Sequence, residues 1–352
     1  MTAKQYLQDA ATRHQIFLNR YAGATWNQLA KFVEQARREA IIQLADAPDN
    51  PSRDRLNRLA KELREVTRAI YMDMSKEARK QMTELAAYEA DFTKRLLETS
   101  TNDNVIEVSV PTVVQLQTAA FTTVMDAAPG YEGTEGLTIA GALSQFGTKK
   151  AAELVQTVRL GYATGQSNTD IIKTITQQNR RIARRQAETL TRTIVQHVAA
   201  QAREQTYQEN ADILGNYQVV ATLDGRTSNT CKALDGQQFT PQEFNAPPYH
   251  YNCRSTYIRV PTVENQADLP SETRPAKGED NQVQSVNSQS TYNSWLERQP
   301  ASFQNEVLGP ARAALFREGL SVRDFVDDNY QPLNLNQIRA KDNEHIFERA
   351  GL

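Results

Sequence analysis

The sequence has few cysteines and no long apolar run. Only two cysteines occur among 352 residues, which is too few for the disulfide framework of a small secreted domain. No apolar run approaches the roughly 18 residues that a membrane-spanning helix requires, and residues 1–9 lack the apolar stretch of a secretory signal. These absences exclude a disulfide-rich scaffold and lead us to expect a soluble, intracellular type of protein with no membrane partner.

Signature motifs of common enzyme classes are also missing. The chain has no Gly-x-x-x-x-Gly-Lys-Ser/Thr phosphate loop, no Gly-x-Gly-x-x-Gly after a strand and no Gly-x-Ser-x-Gly elbow. Its hydrophobic fraction is 39% and its formal net charge is −2. That composition argues against a compact single-core enzyme and against a surface that is basic throughout, although it permits a local basic patch. We therefore expect a protein without catalytic activity.

Apolar residues at spacings of three and four predict a mainly α-helical fold with long N-terminal helices and a helical bundle. In the long helix predicted over residues 53–98, the spacing is clearest at Leu56, Leu59, Leu63, Val66 and Ile70. A break is expected at Gly23 to Thr25, and a short strand over residues 105–110. We assign residues 1–130 to a helical N-terminal region.

The second half of the chain changes character. A β-branched run at residues 217–223 and two Asp-Gly turn signals predict a small α+β module, with short strands and hairpin-like loops, near residues 214–261. Residues 262–290 are polar with little periodicity and predict a linker or arm. Residues 291–352 predict a C-terminal helical segment that docks back onto the chain.

Cys231, His250 and Cys253 are candidate metal ligands. Thiolate and imidazole groups are the ligands that zinc prefers, and His-x-x-Cys on a turn can direct two of them at one ion. A closed tetrahedral site needs a fourth ligand, for which Asp224 and Asp235 are the nearby candidates. An open fourth position would indicate metal-assisted hydrolysis. Free thiols in a small core and a disulfide are the alternatives to one structural zinc.

Four arginines form a candidate binding patch. Arg180, Arg181, Arg184 and Arg185 lie in a predicted helix over residues 179–208, at a spacing that places them on one face. Such a patch can contact nucleic-acid phosphates or an acidic protein partner. The alternative is a solvated helix face whose charges pair with nearby acids such as Glu188.

Two segments resemble a known family. Leu-Asp-Gly-Arg-Thr-Ser-Asn-Thr-Cys-Lys-Ala-Leu-Asp-Gly at residues 223–236, followed by Ala-Pro-Pro-Tyr-His-Tyr-Asn-Cys-Arg at 246–254, is similar to the signature of the phage Mu protein F-like family. Thr-Arg-Thr at 191–193 is similar to the family's preceding helix. The resemblance covers roughly residues 137–335. It departs at Ile194, where relatives often have glutamate, and at Ser255, where many have cysteine.

The resemblance implies a minor head protein, also called a head morphogenesis protein, of a tailed bacteriophage. Its Mu F-like domain is expected over residues 131–261. The family implies association with the portal, capsid or scaffolding proteins, contact with packaged double-stranded DNA, and a location in the virion interior or at the portal vertex after assembly in the host cytoplasm. A further cysteine that is common in the family's Asp-x-Arg-Thr loop is also absent, and the loss of two potential sulfur ligands weakens the case for a complete zinc site. The alternative function is a metal-dependent hydrolase or nuclease that uses Cys231, His250 and Cys253.

Overall fold

The computed structural model describes residues 3–101, 107–125, 136–262, 273–341 and 343–352. Within those ranges the fold is mainly helical, with long N-terminal helices and two small three-stranded sheets, as the sequence predicts. The α-helices are α1 (Ala3–Ala45), α2 (Arg53–Ser100), α3 (Val113–Thr122), α4 (Ile139–Ala163), α5 (Asn168–Thr174), α6 (Arg180–Glu209), α7 (Asn229–Leu234), α8 (Tyr292–Glu297), α9 (Ala301–Leu308), α10 (Pro310–Arg317), α11 (Leu335–Arg339) and α12 (Glu344–Arg349). The strands are β1 (Leu214–Val220), β2 (Leu223–Asp224), β3 (Gln238–Phe239), β4 (Thr256–Pro261), β5 (Thr273–Lys277) and β6 (Val283–Asn287).

Helices α1 and α2 form an antiparallel pair, because Leu44 shares a core cluster with Leu59 while His14 contacts Glu89. Ser52 begins α2, where its side chain accepts a hydrogen bond from the Arg55 amide. Helices α3, α4 and α6 pack against this pair and complete a bundle with one large apolar core. Helix α6, which carries the predicted arginine patch, is therefore part of this bundle and contacts both α1 and α2.

The break predicted at Gly23 to Thr25 is wrong, since α1 continues through it. A single glycine inside a helix costs only about 1 kcal/mol. The neighbouring Ala22 and Trp26 are buried in the bundle core, and their burial offsets that cost. Packing against α2 thus overrides a local signal.

The first sheet belongs to the predicted α+β module. Strand β1 lies between β3 and β4 and is antiparallel to both, with Tyr217 opposite Arg259. The sequence correctly predicts strands in this region. The strand predicted over residues 105–110 is absent from its described part, residues 107–110, and the remainder lies outside the described residues.

The linker predicted over residues 262–290 is wrong for its described part. Strands β5 and β6 form an antiparallel pair, and β5 is parallel to β2, which gives a second sheet in the order β2-β5-β6. Strand β5 buries Arg274 and Ala276 on one face. A buried arginine does not show in the hydrophobic pattern of a sequence. Its burial depends on a carboxylate elsewhere in the chain. Residues 263–272 lie outside the described ranges.

The C-terminal helices share their own apolar core and contact the module. Lys232 Nζ donates to the Val307 carbonyl at 2.9 Å, and Thr230 Oγ1 donates to the Tyr330 carbonyl at 2.9 Å. Trp295 and Phe325 lie among the buried residues of that core. None of the helices in the described part of the chain has both the length and the apolar character that a membrane crossing requires.

Candidate functional site

Cys231, His250 and Cys253 come together at the edge of the α+β module. Cys231 lies on α7, whose first turn is capped by Ser228: the Cys231 amide donates to Ser228 Oγ at 3.2 Å. His250 and Cys253 lie on the turn that leads into β4. Asn252, at the tip of this turn, adopts a φ of 57° and its amide donates to Thr193 Oγ1 on α6 at 3.3 Å. Helix α6 and the cap of α7 therefore fix the three side chains.

The three ligand atoms lie close together, and the two sulfur atoms have the separation of two ligands in a tetrahedral metal site. They all lie within 4.8 Å of one another. The two sulfur atoms are 3.8 Å apart, and Cys231 Sγ is 3.1 Å from His250 Nε2. Zinc–sulfur bonds of about 2.3 Å at tetrahedral angles separate two sulfur ligands by about 3.8 Å. Both cysteines are buried and free, so the disulfide alternative is not present in this structure.

The ring of His250 is oriented as a ligand. Its Nδ1 lies 2.8 Å from the Tyr251 carbonyl oxygen, which can only accept, so Nδ1 carries the proton. Nε2, the ring atom left to bind a cation, faces Cys231 Sγ and Ser228 Oγ, the latter at 2.8 Å. A backbone carbonyl that holds the second ring nitrogen is the usual support for a metal-binding histidine.

The two thiols differ in acidity. Burial raises the pKa of Cys253, but the hydrogen bond with the Cys231 thiol and the nearby His250 imidazole outweigh it and hold this pKa well below its usual range. The hydrogen bond with Cys253, together with burial, raises the pKa of Cys231. Because a metal binds the thiolate form, binding releases any proton that either thiol carries.

The structure places neither predicted fourth ligand in this group. Arg254 Nη2 donates to Asp224 Oδ1 at 2.7 Å, and Arg254 Nη1 contacts the other oxygen. Burial raises the pKa of Asp224, but the hydrogen bonds and charge of Arg254 lower this pKa by more than burial raises it, so the net shift is downward. Asp235 is buried against Arg274 at 3.2 Å. Both carboxylates pair with arginines, so the group consists of three candidate ligands, with Ser228 Oγ beside them.

The arginine patch is divided between two sides of α6. Arg184 points toward α1, where its Nη1 lies 3.3 Å from Glu34 Oε1. Arg181 and Arg185 are exposed, and Arg185 lines a cleft between α6 and α4. Arg180 begins the helix, and its side chain lies outside the described set. A helix turns about 100° per residue, so neighbouring arginines point in different directions, and Arg184 faces α1 while Arg185 does not.

A second cleft, of about 820 Å³, opens beside the Cys/His/Cys group. His250 and Cys253 line it, together with Ser228 and parts of α1, α6, β5 and β6. Sequence reasoning missed most of its lining residues, among them Ser228, Arg20 and Lys277. Ser228 had a detectable signal, since serine before a short helix predicts a cap; Arg20 and Lys277 had none, because they arrive from distant parts of the chain.

The geometry defines a mainly helical protein whose small α+β module carries a buried, three-membered group able to hold a metal ion. Residues 152–258 match the family model described as phage Mu protein F like protein. That span contains α6, both cysteines and His250, and it identifies a Mu F-like domain within this chain. No curated protein and no solved structure shows significant similarity to the chain.

Proposed function

We propose that this protein is a minor head protein of a tailed bacteriophage, which associates with the portal or the inner capsid surface during head assembly. The observation that carries the proposal is the Mu F-like domain over residues 152–258, a family of phage head morphogenesis proteins. Portal, capsid or scaffolding proteins are the partners that this role requires. The virion interior, reached from the host cytoplasm, is the corresponding location.

The N-terminal helices offer a surface for such a partner. Phe17 on α1 and Tyr88 on α2 are 39% and 41% exposed, and their ring centroids lie 5.2 Å apart. Ile16, also 39% exposed, adjoins Phe17 in the chain. Exposed apolar side chains that are contiguous across two helices are typical of protein interfaces, whereas isolated ones are ordinary.

The test is the protein content of purified heads. We expect a phage that encodes the chain to carry it in procapsids and virions, at a few copies per particle, and to yield cross-links between α1 or α2 and the portal or capsid protein. Phe17→Ser with Tyr88→Ser should reduce incorporation, while a double change on α2 at the half-buried Thr83 and the exposed Thr99, Thr83→Ala with Thr99→Ala, should not. Heads that lack the chain contradict the proposed function. Heads that keep all copies of the Phe17/Tyr88 variant contradict the proposed contact surface.

Our proposal includes one structural zinc ion held by Cys231, His250 and Cys253, with water or Ser228 Oγ in the fourth position. The sulfur separation of 3.8 Å and the oriented His250 ring support it. Elemental analysis of pure protein should find about one zinc per chain. Cys253→Ser should abolish it, and Asp224→Asn should retain it because Asp224 is paired with Arg254. If protein expressed with ample zinc contains no metal, the zinc proposal is wrong and the two cysteines are packed free thiols.

The alternative function, a metal-dependent hydrolase or nuclease, is favoured by one observation. His250 and Cys253 line the open cleft rather than a sealed core, and an open coordination position can hold a substrate or an activated water. Hydrolysis of a phosphodiester substrate by the metal-loaded protein, lost in His250→Ala, would support this alternative. Stoichiometric metal without hydrolysis supports the structural role.

A further inference from the structure

Two clefts adjoin along helix α6. The cleft of about 550 Å³ between α4 and α6 and the cleft of about 820 Å³ beside the Cys/His/Cys group share Tyr251 and Asn252 as lining residues. Arg185 lines the first and Arg192 the second. These arginines are seven residues apart and lie on the same side of the helix, about 10 Å apart along its axis. The two clefts therefore form one groove that crosses the turn at Asn252.

The groove is much more positive than the chain as a whole. Eight cationic side chains and two carboxylates line it, whereas the chain has a formal net charge of −2. Both carboxylates are already paired, Glu188 with Arg192 at 2.9 Å and Asp224 with Arg254. Like charges gathered in a concave surface attract a polyanion and concentrate it there.

Several of these cations are available to a ligand. Among the described residues, no ion pair involves Lys149, Arg185, Lys277 or Arg20. Arg226 is 78% exposed at its side chain, and its nearest carboxylate oxygen, on Asp224, is 3.9 Å away. These groups come from separate elements that line the cleft, since Lys277 is on β5 and Arg20 on α1.

We propose that this groove binds the phosphodiester backbone of nucleic acid. The aromatic rings of Phe146 and Tyr251 line the same groove. Cations and aromatic rings in one groove suit phosphates and bases together, which favours nucleic acid over an acidic protein segment. The proposal deepens the head-protein function, because a phage head encloses nucleic acid. It replaces the four-arginine patch with residues that the fold brings together from α1, α4, α6, the 225–228 loop and β5.

The test measures binding of fluorescently labelled oligonucleotides, single-stranded and duplex, to the full chain by anisotropy across a salt series. The groove variant replaces three exposed groove residues, Lys149→Gln, Arg185→Gln and Arg226→Gln. The control variant makes the same change in charge at exposed α2 arginines that line neither cleft, Arg53→Gln, Arg55→Gln and Arg58→Gln.

Each phosphate contact contributes about 0.9 to the slope of log affinity against log salt for duplex DNA, and about 0.7 for a single strand. We expect the groove variant, with three cations removed, to lose about 2.7 units of this slope for duplex DNA or about 2.1 for a single strand. Its affinity at low salt should fall at least tenfold, and the control should match the parent chain. The strand type with the tighter binding identifies the form of nucleic acid that the groove accepts.

Three results would overturn the proposal that the groove binds nucleic acid. They are no oligonucleotide binding, an equal loss of affinity in the control variant, or poly-glutamate of equal charge competing as well as unlabelled oligonucleotide. The last result would assign the groove to an acidic protein segment. If the binding test fails but the chain is present in purified heads, only the nucleic-acid proposal for the groove is rejected. Absence from heads rejects the head-protein function, and the binding measurement remains independent of it.

Discussion

Asp235 provides the sharpest test of how the module is held together. Its Oδ1 accepts the Ala221 amide at 2.6 Å, and its Oδ2 accepts the Tyr292 amide at 2.6 Å. Both oxygens also face the Arg274 guanidinium, at 3.2 and 3.3 Å. One carboxylate thus joins the end of β1, strand β5 and the first turn of α8. We predict that Asp235→Asn severely destabilises the protein.

The expected loss follows from burial. The side chains of Asp235 and Arg274 are 0% and 1% exposed, so loss of the carboxylate charge leaves a guanidinium buried without its counter-ion. Breaking one partner of a buried ion pair costs about 3–5 kcal/mol, whereas an exposed pair contributes about 0–1 kcal/mol. The exposed pair of Asp73 with Lys76, at 2.9 Å on α2, provides the comparison.

The assay is equilibrium unfolding in denaturant for Asp235→Asn, for Asp73→Asn and for Asp235→Asn combined with Arg274→Met. We expect a loss of at least about 3 kcal/mol in the first and under about 1 kcal/mol in the second. The double variant should recover part of the loss, because it removes the unpaired charge as well. A loss below about 1 kcal/mol in Asp235→Asn, or a double variant whose losses simply add, would refute this account of the ion pair.

Two further predictions concern stability. Burial lowers the pKa of His197 to about 4, so between that pH and about 6.5 the unfolded chain binds the extra proton. Stability should fall by about 3 kcal/mol as the pH drops through this window, and denaturation curves of His197→Gln should lack that contribution. Gly236 has a φ of 82°, and an added Cβ would lie 2.9 Å from Thr291 Cγ2. Gly236→Ala should cost at least about 1 kcal/mol in thermal melts, and more than Gly165→Ala, where φ is 74° with open space around it.

The sequence predicted the fold where periodicity was strong and long. The apolar spacing of α2 and the β-branched run of β1 both report the burial of one face, and both elements are present. The signals failed where distant contacts decide. Gly23 stays helical because α2 covers its neighbours, and β5 forms because β2 and a buried carboxylate receive Arg274.

The candidate site shows the same division. Cys231, His250 and Cys253 could be selected from residue type and spacing, and the structure brings them together. Asp224 and Asp235 were reasonable as ligands from proximity in the sequence, but each pairs with an arginine that the sequence does not connect to it. Of the charges in the groove, the sequence singled out Arg185 but could not predict the groove itself, because its charges come from six separate segments.

Buried charges join the Mu F-like domain to the segments on both sides of it. Glu89 on α2 is fully buried and contacts both His14 on α1 and Arg203 on α6, with Arg203 Nη2 at 3.1 Å. Arg203 also donates to Thr256 on β4. On the other side Asp235 requires Arg274, which lies beyond residue 258. An excised fragment of residues 152–258 would keep Arg203 and Asp235 but lose their counter-ions, each at a cost of several kcal/mol. The long N-terminal helices and the second sheet are therefore part of the structure that positions the Cys/His/Cys group and the groove.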